Sequence, residues 1–194
     1  PDTPEPPAPV EPLELISEGE AKFQIVLSSS LSAKNKTLVQ KYIAEFAKLG
    51  VTLKKADDYR ADKVTDCELL VGQVKNRDEQ VGDPHSLGEK GYSVTVNGKK
   101  VVLTGGSDSA LSYAIEEFFD YLLDHMTETL TLSLPGDFAS VHPQEYDITS
   151  VTVSGVSLRE FGILYDANDS EASASARLIQ SEVYAKTGIF LNFR

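Results

Sequence analysis

Three polar residues, Asn76, Arg77 and Asp78, directly follow an apolar run and are the side chains best placed to bind a ligand. The run, CELLVGQ at residues 67–73, is continuous and of strand length, which is typical of a central strand covered on both faces. Open α/β sheets bind ligands outside the carboxyl ends of their strands. We therefore expect any ligand-binding site to include Asn76, Arg77 and Asp78.

A second candidate is the turn TGGSDS at residues 104–109, where a glycine pair leads into a helix. Helix N-termini bind phosphate through their free backbone N–H groups. The turn lacks the Lys-Ser/Thr pair of a Walker loop and the third glycine of a dinucleotide fingerprint, and Asp108 places a carboxylate where the anion would bind. We expect Ser107 or Asp108 to cap the helix while the glycines permit a sharp turn.

The other reactive side chains do not form a catalytic or metal-binding pattern. His85, His125 and His142 lack partners at metal-ligand spacing, and the single cysteine, Cys67, lies in an apolar run that favours an inert thiol. Adjacent carboxylates are frequent, but none lies in an apolar setting that would raise its pKa for general-acid work. We predict no catalytic residue, no metal site and no cofactor.

The charge balance argues against two classes of partner. The chain has 30 Asp and Glu residues against 18 Lys and Arg residues, for a formal net charge of −12. A surface this negative repels nucleic acid and anionic lipid. No stretch approaches the roughly 20 apolar residues that span a membrane. We expect neither nucleic-acid binding nor membrane insertion.

The candidate residues must be positioned by a domain that follows a proline-rich start. The opening PDTPEPPAPVEP alternates Pro with acidic and small residues, a composition that favours an extended polyproline conformation. We therefore predict a linker at residues 1–20 and an α/β domain at residues 21–147.

Within residues 21–147 the patterns alternate between strand and helix. FQIVLSS and VTLKKADD read as strands that flank the helix pattern KNKTLVQKYIAEFAKLG. GYSVTVNGKKVVLTGG predicts a β-hairpin with Asn97-Gly98 in a type I′ turn. SALSYAIEEFFDYLLDHM predicts an amphipathic helix, and TLTLSL another strand. The fold class is therefore α/β (α+β), a mixed β-sheet containing a hairpin with two main helices packed against it.

The end of the chain repeats the beginning. One offset of 138 residues separates Phe23 from Phe161 and Gly50 from Gly188, and SASARLIQSEVYAK occupies the position of the first helix. Matched anchors at one offset favour a repeated module. Residues 148–194 are therefore either the start of a second, truncated β-α-β copy or an extra β-α element of the first domain.

The order of these motifs resembles the small α/β domain that precedes the catalytic barrel in β-N-acetylhexosaminidases, α-glucuronidases and related glycoside hydrolases. In that family the third strand ends Gly-x-x-x-x-Arg, matched by Gly72 and Arg77. The family's hairpin leads into a Gly-Gly turn, and its helix carries a small-x-Tyr-Ala/Gly-x-x-x-Phe pattern, matched here by Ser112-Tyr113-Ala114 through Phe118. The resemblance covers roughly residues 21–135. It implies a non-catalytic domain, because the family's catalytic residues belong to the barrel.

Two functions from different classes follow. The first is a non-catalytic accessory module of a secreted or cell-surface carbohydrate-active protein, with polysaccharide or an adjacent catalytic domain of the same chain as its partner. The alternative is a structural or adhesive tandem module of a surface protein with no saccharide role. In both, we expect the chain not to be an enzyme by itself and to be extracellular.

Overall fold

The computed structural model describes residues 11–59, 64–77, 83–148 and 150–194. The helices in these ranges are α1 (Ala33–Lys48), α2 (Asp108–Asp124) and α3 (Ser170–Thr187), with two short 3-10 turns at Pro84–Leu87 and Leu158–Glu160. The strands are β1 (Leu13–Ser17), β2 (Glu20–Ala21), β3 (Gln24–Leu27), β4 (Lys54–Asp57), β5 (Glu68–Val71), β6 (Tyr92–Asn97), β7 (Lys100–Gly105), β8 (Leu132–Leu134), β9 (Ala139–His142), β10 (Thr152–Val153), β11 (Val156–Ser157), β12 (Gly162–Ile163) and β13 (Asn192–Phe193).

A six-stranded mixed sheet forms the centre of the fold, in the order β4-β3-β5-β7-β6-β9. Strands β4, β3, β5 and β7 are parallel, whereas β6 runs antiparallel to both β7 and β9. All four residues of β5 are buried, as expected for an interior strand. The predicted α/β class, with a hairpin in a mixed sheet, is confirmed.

Helices α1 and α2 pack together and share the main hydrophobic core with the sheet. Their apolar positions recur at helical spacing, so each helix turns one stripe inward. Tyr42 of α1 stacks on Phe119 of α2 with ring centroids 4.9 Å apart, and Phe46 approaches the same ring edge-on. Both helices are therefore held by aromatic contacts, as well as by their burial against the strands.

A second sheet, in the order β2-β1-β8, corrects the prediction of a linker over residues 1–20. Leu15 and Ile16 of β1 are fully buried, and β1 pairs antiparallel with β8, with Leu13 opposite Leu134. The short run LELIS forms a strand because it carries enough apolar surface to join the core, although the prolines before it suggest an extended tail. Residues 1–10 lie outside the described ranges.

The β6–β7 hairpin is confirmed, but its turn differs by one residue from the prediction. Asn97 pairs with Lys100, so Gly98 and Lys99 form the two-residue loop. Of these two, only Gly98 has a positive φ, at 59°. Glycine at the first central position fits a type II′ turn and not the type I′ turn expected for Asn97-Gly98.

The region from β12 to β13 forms a parallel β-α-β unit around α3. Gly162 pairs with Asn192 just as Gln24 pairs with Lys54 in the β3-α1-β4 unit, so the offset of 138 residues also relates the two strand registers. Among the described residues, β12 and β13 pair with each other and not with the six-stranded sheet. Whether residues 148–194 are a second copy stays a prediction. Buried residues at equivalent positions are Phe46 and Tyr184, Val51 and Ile189, and Leu53 and Leu191.

Candidate functional site

Arg77 does not face solvent but turns back into the fold to meet Glu68 of β5. Its side chain donates from Nη2 to Oε1 of Glu68 at 2.9 Å and from Nε to Oε2 at 3.2 Å, and Arg77 is only 3% exposed. Lys100 adds a third contact, 2.8 Å from its Nζ to Oε2. Burial opposes ionisation of Glu68, but the hydrogen bonds from Arg77 and Lys100 outweigh it and lower the pKa to about 2.

Asn76 is also engaged within the fold. It adopts a positive φ of 59°, and its Nδ2 donates to the backbone carbonyl of Asp58 at 3.3 Å. The Asp58 carboxylate in turn accepts hydrogen bonds from the backbone N–H groups of Ser29 and Lys75. Asp78 lies outside the described residues. Ligand binding at this loop therefore stays a prediction.

The Gly-x-x-x-x-Arg motif acquires a physical explanation from these contacts. Gly72 has a positive φ of 76°, and a Cβ there would lie 3.3 Å from Leu111 of α2, so the chain turns sharply beneath the helix. The turn brings Arg77 back to Glu68 at the start of the same strand. In this motif, Gly72 thus allows the backbone to turn, and Arg77 pairs with the buried Glu68 carboxylate.

The Gly-Gly turn is a helix cap, as predicted. Ser107 is the N-cap of α2, and its Oγ accepts a hydrogen bond from the Ala110 N–H at 3.2 Å. Asp108 lies in the first turn and accepts a hydrogen bond from the Asn35 amide at 2.9 Å. A Cβ on Gly106 would come within 1.7 Å of the Gly88 carbonyl oxygen. Close packing of two loops therefore requires glycine at position 106.

Replacing Ser107 by alanine is expected to lower the free energy of unfolding by about 1 kcal/mol, because the cap hydrogen bond to α2 is lost. Urea denaturation followed by circular dichroism measures the change. Ser109→Ala is the matched control, since Ser109 lies two residues further along and does not cap α2. An equal loss in both variants would contradict the capping role.

A small cavity of about 210 Å³ lies over the carboxyl ends of β3, β5 and β7. The Ser28 hydroxyl in its wall already donates to the Gln73 carbonyl at 2.7 Å, and Ser107 is occupied in capping. Asp108 in the lining carries a carboxylate, which disfavours an anion in this cavity. The lining includes Ser28, Thr104, Gly105, Ser107, Asp108 and His85.

A junction between the first domain and the β12–β13 unit brings together residues far apart in sequence. The His85 ring stacks on Phe190 with centroids 3.5 Å apart and an interplanar angle of 6°, and Tyr184 of α3 meets His85 edge-on at 5.4 Å. Tyr146 lies against both Gly88 and Gly188, where added Cβ atoms would come within 2.8 and 2.6 Å of its ring. Nothing in the local sequence pattern signals this contact, because its partners lie about a hundred positions apart.

The junction also encloses a cavity of about 290 Å³ with a mostly polar wall. Asp83 of the first domain lines it together with Phe190 of the β12–β13 unit and Arg159, which precedes β12. Gln144 in the wall already accepts hydrogen bonds from the Lys90 N–H and the Tyr146 hydroxyl. These hydrogen bonds order the wall of the cavity on the side of the first domain.

A cluster of Glu117, His142, Tyr92 and Ser140 resembles a catalytic arrangement in composition but not in geometry. The Ser140 hydroxyl and the Glu117 carboxylate both lie against the same ring nitrogen, Nε2 of His142, at 2.9 and 3.2 Å. A Ser-His-acid triad needs the hydroxyl and the carboxylate on different ring nitrogens. Burial, with the hydrogen bond to Glu117, raises the pKa of Tyr92 to about 12.

The remaining candidates from the sequence are explained by their surroundings. His125 is the C-terminal cap of α2, with its Nδ1 2.9 Å from the Tyr121 carbonyl, as its position at a helix end suggests. Cys67 is half-buried, and burial raises the pKa of its thiol, which disfavours the nucleophilic thiolate. Within the described ranges, no group of three or more His, Cys, Asp or Glu side chains could hold a metal ion. None of the described helices combines the length and apolarity needed to cross a membrane.

Comparison with known proteins yields structural neighbours but no family match. No protein-family model matches the chain, and no curated protein matches it. The structure of CpGH84D is 12% identical with a TM-score of 0.44, covering 76% of this chain and 22% of that chain. BtGH115A, a family GH115 4-O-methyl-α-glucuronidase with specificity for decorated arabinogalactans, is 16% identical with a TM-score of 0.45, covering 62% of this chain and 17% of that chain. A GH138 enzyme targeting pectin rhamnogalacturonan II is 11% identical with a TM-score of 0.41, covering 74% of this chain and 15% of that chain. The chain spans less than a quarter of the length of each of these three chains.

Proposed function

We propose that this chain is a non-catalytic accessory module of a secreted or cell-surface carbohydrate-active protein and that it packs against an adjacent catalytic domain of that protein. The motif resemblance over residues 21–135 supports the proposal. One observation carries it furthest, which is that the motif residues Gly72 and Arg77 make internal contacts. The motif residues that match the family's domain thus stabilise the fold itself, which is the role expected of motif residues in a supporting module.

Three exposed apolar side chains of the β12–β13 unit support the choice of partner. Leu178 and Ile179 of α3 are 62% and 51% exposed, and Leu164, which follows β12, is 84% exposed. Within α3, only Ala176 and Tyr184 are buried. Large apolar side chains grouped on one surface mark a site of contact with another protein surface, and we propose that these three form one such apolar face. The proposed occupant is the neighbouring domain of the same protein.

The alternative, a structural or adhesive tandem module with no saccharide role, is favoured by the shared strand register. The β3-α1-β4 and β12-α3-β13 units pair with the same spacing along the chain. Repeated units of this kind are typical of arrays in which each copy contacts its neighbours. In an array the apolar face would meet another copy of the module.

Replacing Leu178 by aspartate tests the proposal, measured both on the isolated chain and on the full-length protein that carries it. In the isolated chain Leu178 is exposed, so we expect the free energy of unfolding to change by less than about 0.5 kcal/mol. In the full-length protein we expect the melting temperature of the adjacent domain to fall, because the substitution places a charge in an apolar contact. Val153→Asp is the matched control, since Val153 is 47% exposed on β10 and outside this face.

Two outcomes would contradict the proposal. An equally small effect of Leu178→Asp in both proteins would mean that no domain covers α3. Hydrolysis of aryl glycosides by the isolated chain, lost when Glu117 is replaced by glutamine, would show that the module is itself catalytic.

A further inference from the structure

The His85 ring lies in an aromatic contact that joins the first domain to the β12–β13 unit. One of its faces stacks on Phe190 at 3.5 Å, and Tyr184 packs against it edge-on. The Tyr184 hydroxyl lies 3.4 Å from the carbonyl oxygens of both His85 and Gly106. His85 is thus the residue of the first domain whose ring contacts both Phe190 and Tyr184.

One nitrogen of this ring has no partner. The Nδ1 atom of His85 is buried and makes no hydrogen bond. In a neutral imidazole one ring nitrogen carries no proton, so Nδ1 can stay an unprotonated acceptor. In the imidazolium both nitrogens donate, and a buried N–H without an acceptor costs the full desolvation of that group. The geometry of the contact therefore favours neutral His85.

Burial and a nearby charge act on the ionisation of the ring in opposite directions. Asp83, whose Oδ1 accepts the His85 backbone N–H at 3.0 Å, attracts an imidazolium. Burial outweighs the attraction by Asp83 and lowers the pKa of His85. The titratable or charged groups that face the ring or its immediate neighbours are Asp83, Glu89, Asp108, Tyr146, Arg159 and Tyr184.

We propose that protonation of His85 releases the β12–β13 unit from the first domain, so that the stack of His85 on Phe190 is a pH-sensitive latch between the two units. This inference goes beyond the proposed function and does not depend on it. The latch needs no ligand, because the proton itself is the effector.

The direction of the pH effect follows from the depressed pKa. The contact is fully present above the ordinary His pKa of 6.5, and it weakens as the pH falls below that value towards the lower pKa of the docked ring. A single proton changes an equilibrium at most tenfold per pH unit. Between pH 7.5 and pH 5.5 we therefore expect the undocked fraction to rise by at most roughly tenfold.

An NMR titration of the whole chain from pH 8 to pH 4.5 tests the latch. It follows the ring C–H signals of the three histidines together with those of Phe190 and Tyr184. We expect His85 to titrate below the ordinary His pKa of 6.5. We also expect the Phe190 and Tyr184 signals to move towards unstacked values with the His85 midpoint.

Two variants separate the proton from the packing. His85→Phe keeps a ring in the stack but cannot be protonated, so the pH response of the Phe190 signals should vanish. His125→Gln, at the end of α2, is the matched control and should leave that response intact. A His85 midpoint at or above the ordinary pKa of 6.5 would overturn the inference. So would Phe190 signals that stay constant while His85 titrates.

Discussion

Replacing Arg77 by methionine is expected to lower the free energy of unfolding by about 3–5 kcal/mol, because it leaves the Glu68 carboxylate buried without its main partner. Glu68 is fully buried and would keep Lys100 and the Gln24 amide, which donates to its Oε1 at 3.0 Å. Urea denaturation at pH 7 measures the loss. Methionine retains much of the aliphatic length of arginine, so the effect reports mainly on charge.

The matched control for this change is Lys99→Met on the neighbouring surface. Lys99 lies 3.9 Å from Asp66, with the two side chains 69% and 93% exposed, and exposed pairs contribute about 0–1 kcal/mol. A loss below about 1 kcal/mol for Arg77→Met would contradict the buried-pair assignment.

The contact between Arg77 and Glu68 also predicts how the stability of the fold falls at acid pH. Because hydrogen bonds lower the pKa of Glu68 from 4.5 to about 2, the pair stabilises the fold fully above pH 4.5, and this contribution is lost as the pH falls through 2. The shift corresponds to roughly 3 kcal/mol. In the Arg77→Met variant the pKa of Glu68 should rise, and acid unfolding should begin at a higher pH.

Replacing Asp58 by alanine is expected to lower the free energy of unfolding by about 3 kcal/mol. Asp58 is fully buried, and its Oδ2 accepts the backbone N–H groups of Ser29 at 3.0 Å and of Lys75 at 3.2 Å. Removing the carboxylate leaves both donors without a partner, at about 1–3 kcal/mol each. Thermal unfolding by calorimetry measures the change.

Two other substitutions make this result specific. Asp58→Asn keeps an acceptor for the two N–H groups and puts its amide NH₂ where Oδ1 has no partner, so its effect should be smaller than that of alanine. Asp57→Ala, at the exposed preceding residue, should change stability by less than about 0.5 kcal/mol. Equal losses at positions 57 and 58 would contradict the role of the Asp58 hydrogen bonds.

The pattern of apolar residues along the sequence was enough to predict the strand and the helix that position the residues at the carboxyl ends of the parallel strands. The continuous apolar run of β5 predicted an interior strand because a strand covered on both faces has no polar side. Helix α2 was predicted because its apolar stripe repeats at helical spacing. The strand β1 was missed, since the run LELIS is short and follows a proline-rich stretch whose composition dominates the pattern.

The candidate site was harder to predict because it depends on where side chains turn after a strand ends. Arg77 follows β5 as expected, yet it folds back to Glu68 because a buried carboxylate requires a partner. Local sequence does not show that reversal. The contact of His85 with Phe190 is harder still, because it forms only when the β12–β13 unit docks on the first domain.

The pairing of β1 with β8 has a consequence for the order in which the chain folds on the ribosome. Leu13 is among the first described residues to be made, but its partner Leu134 follows only after both α1 and α2 have been synthesised. Contacts between residues so distant in sequence form late, because closing a long loop costs entropy. Strand β1 can pair with β2 as soon as both are made, but its other edge lacks its partner until β8 is synthesised, and unpaired strand edges favour association between nascent chains.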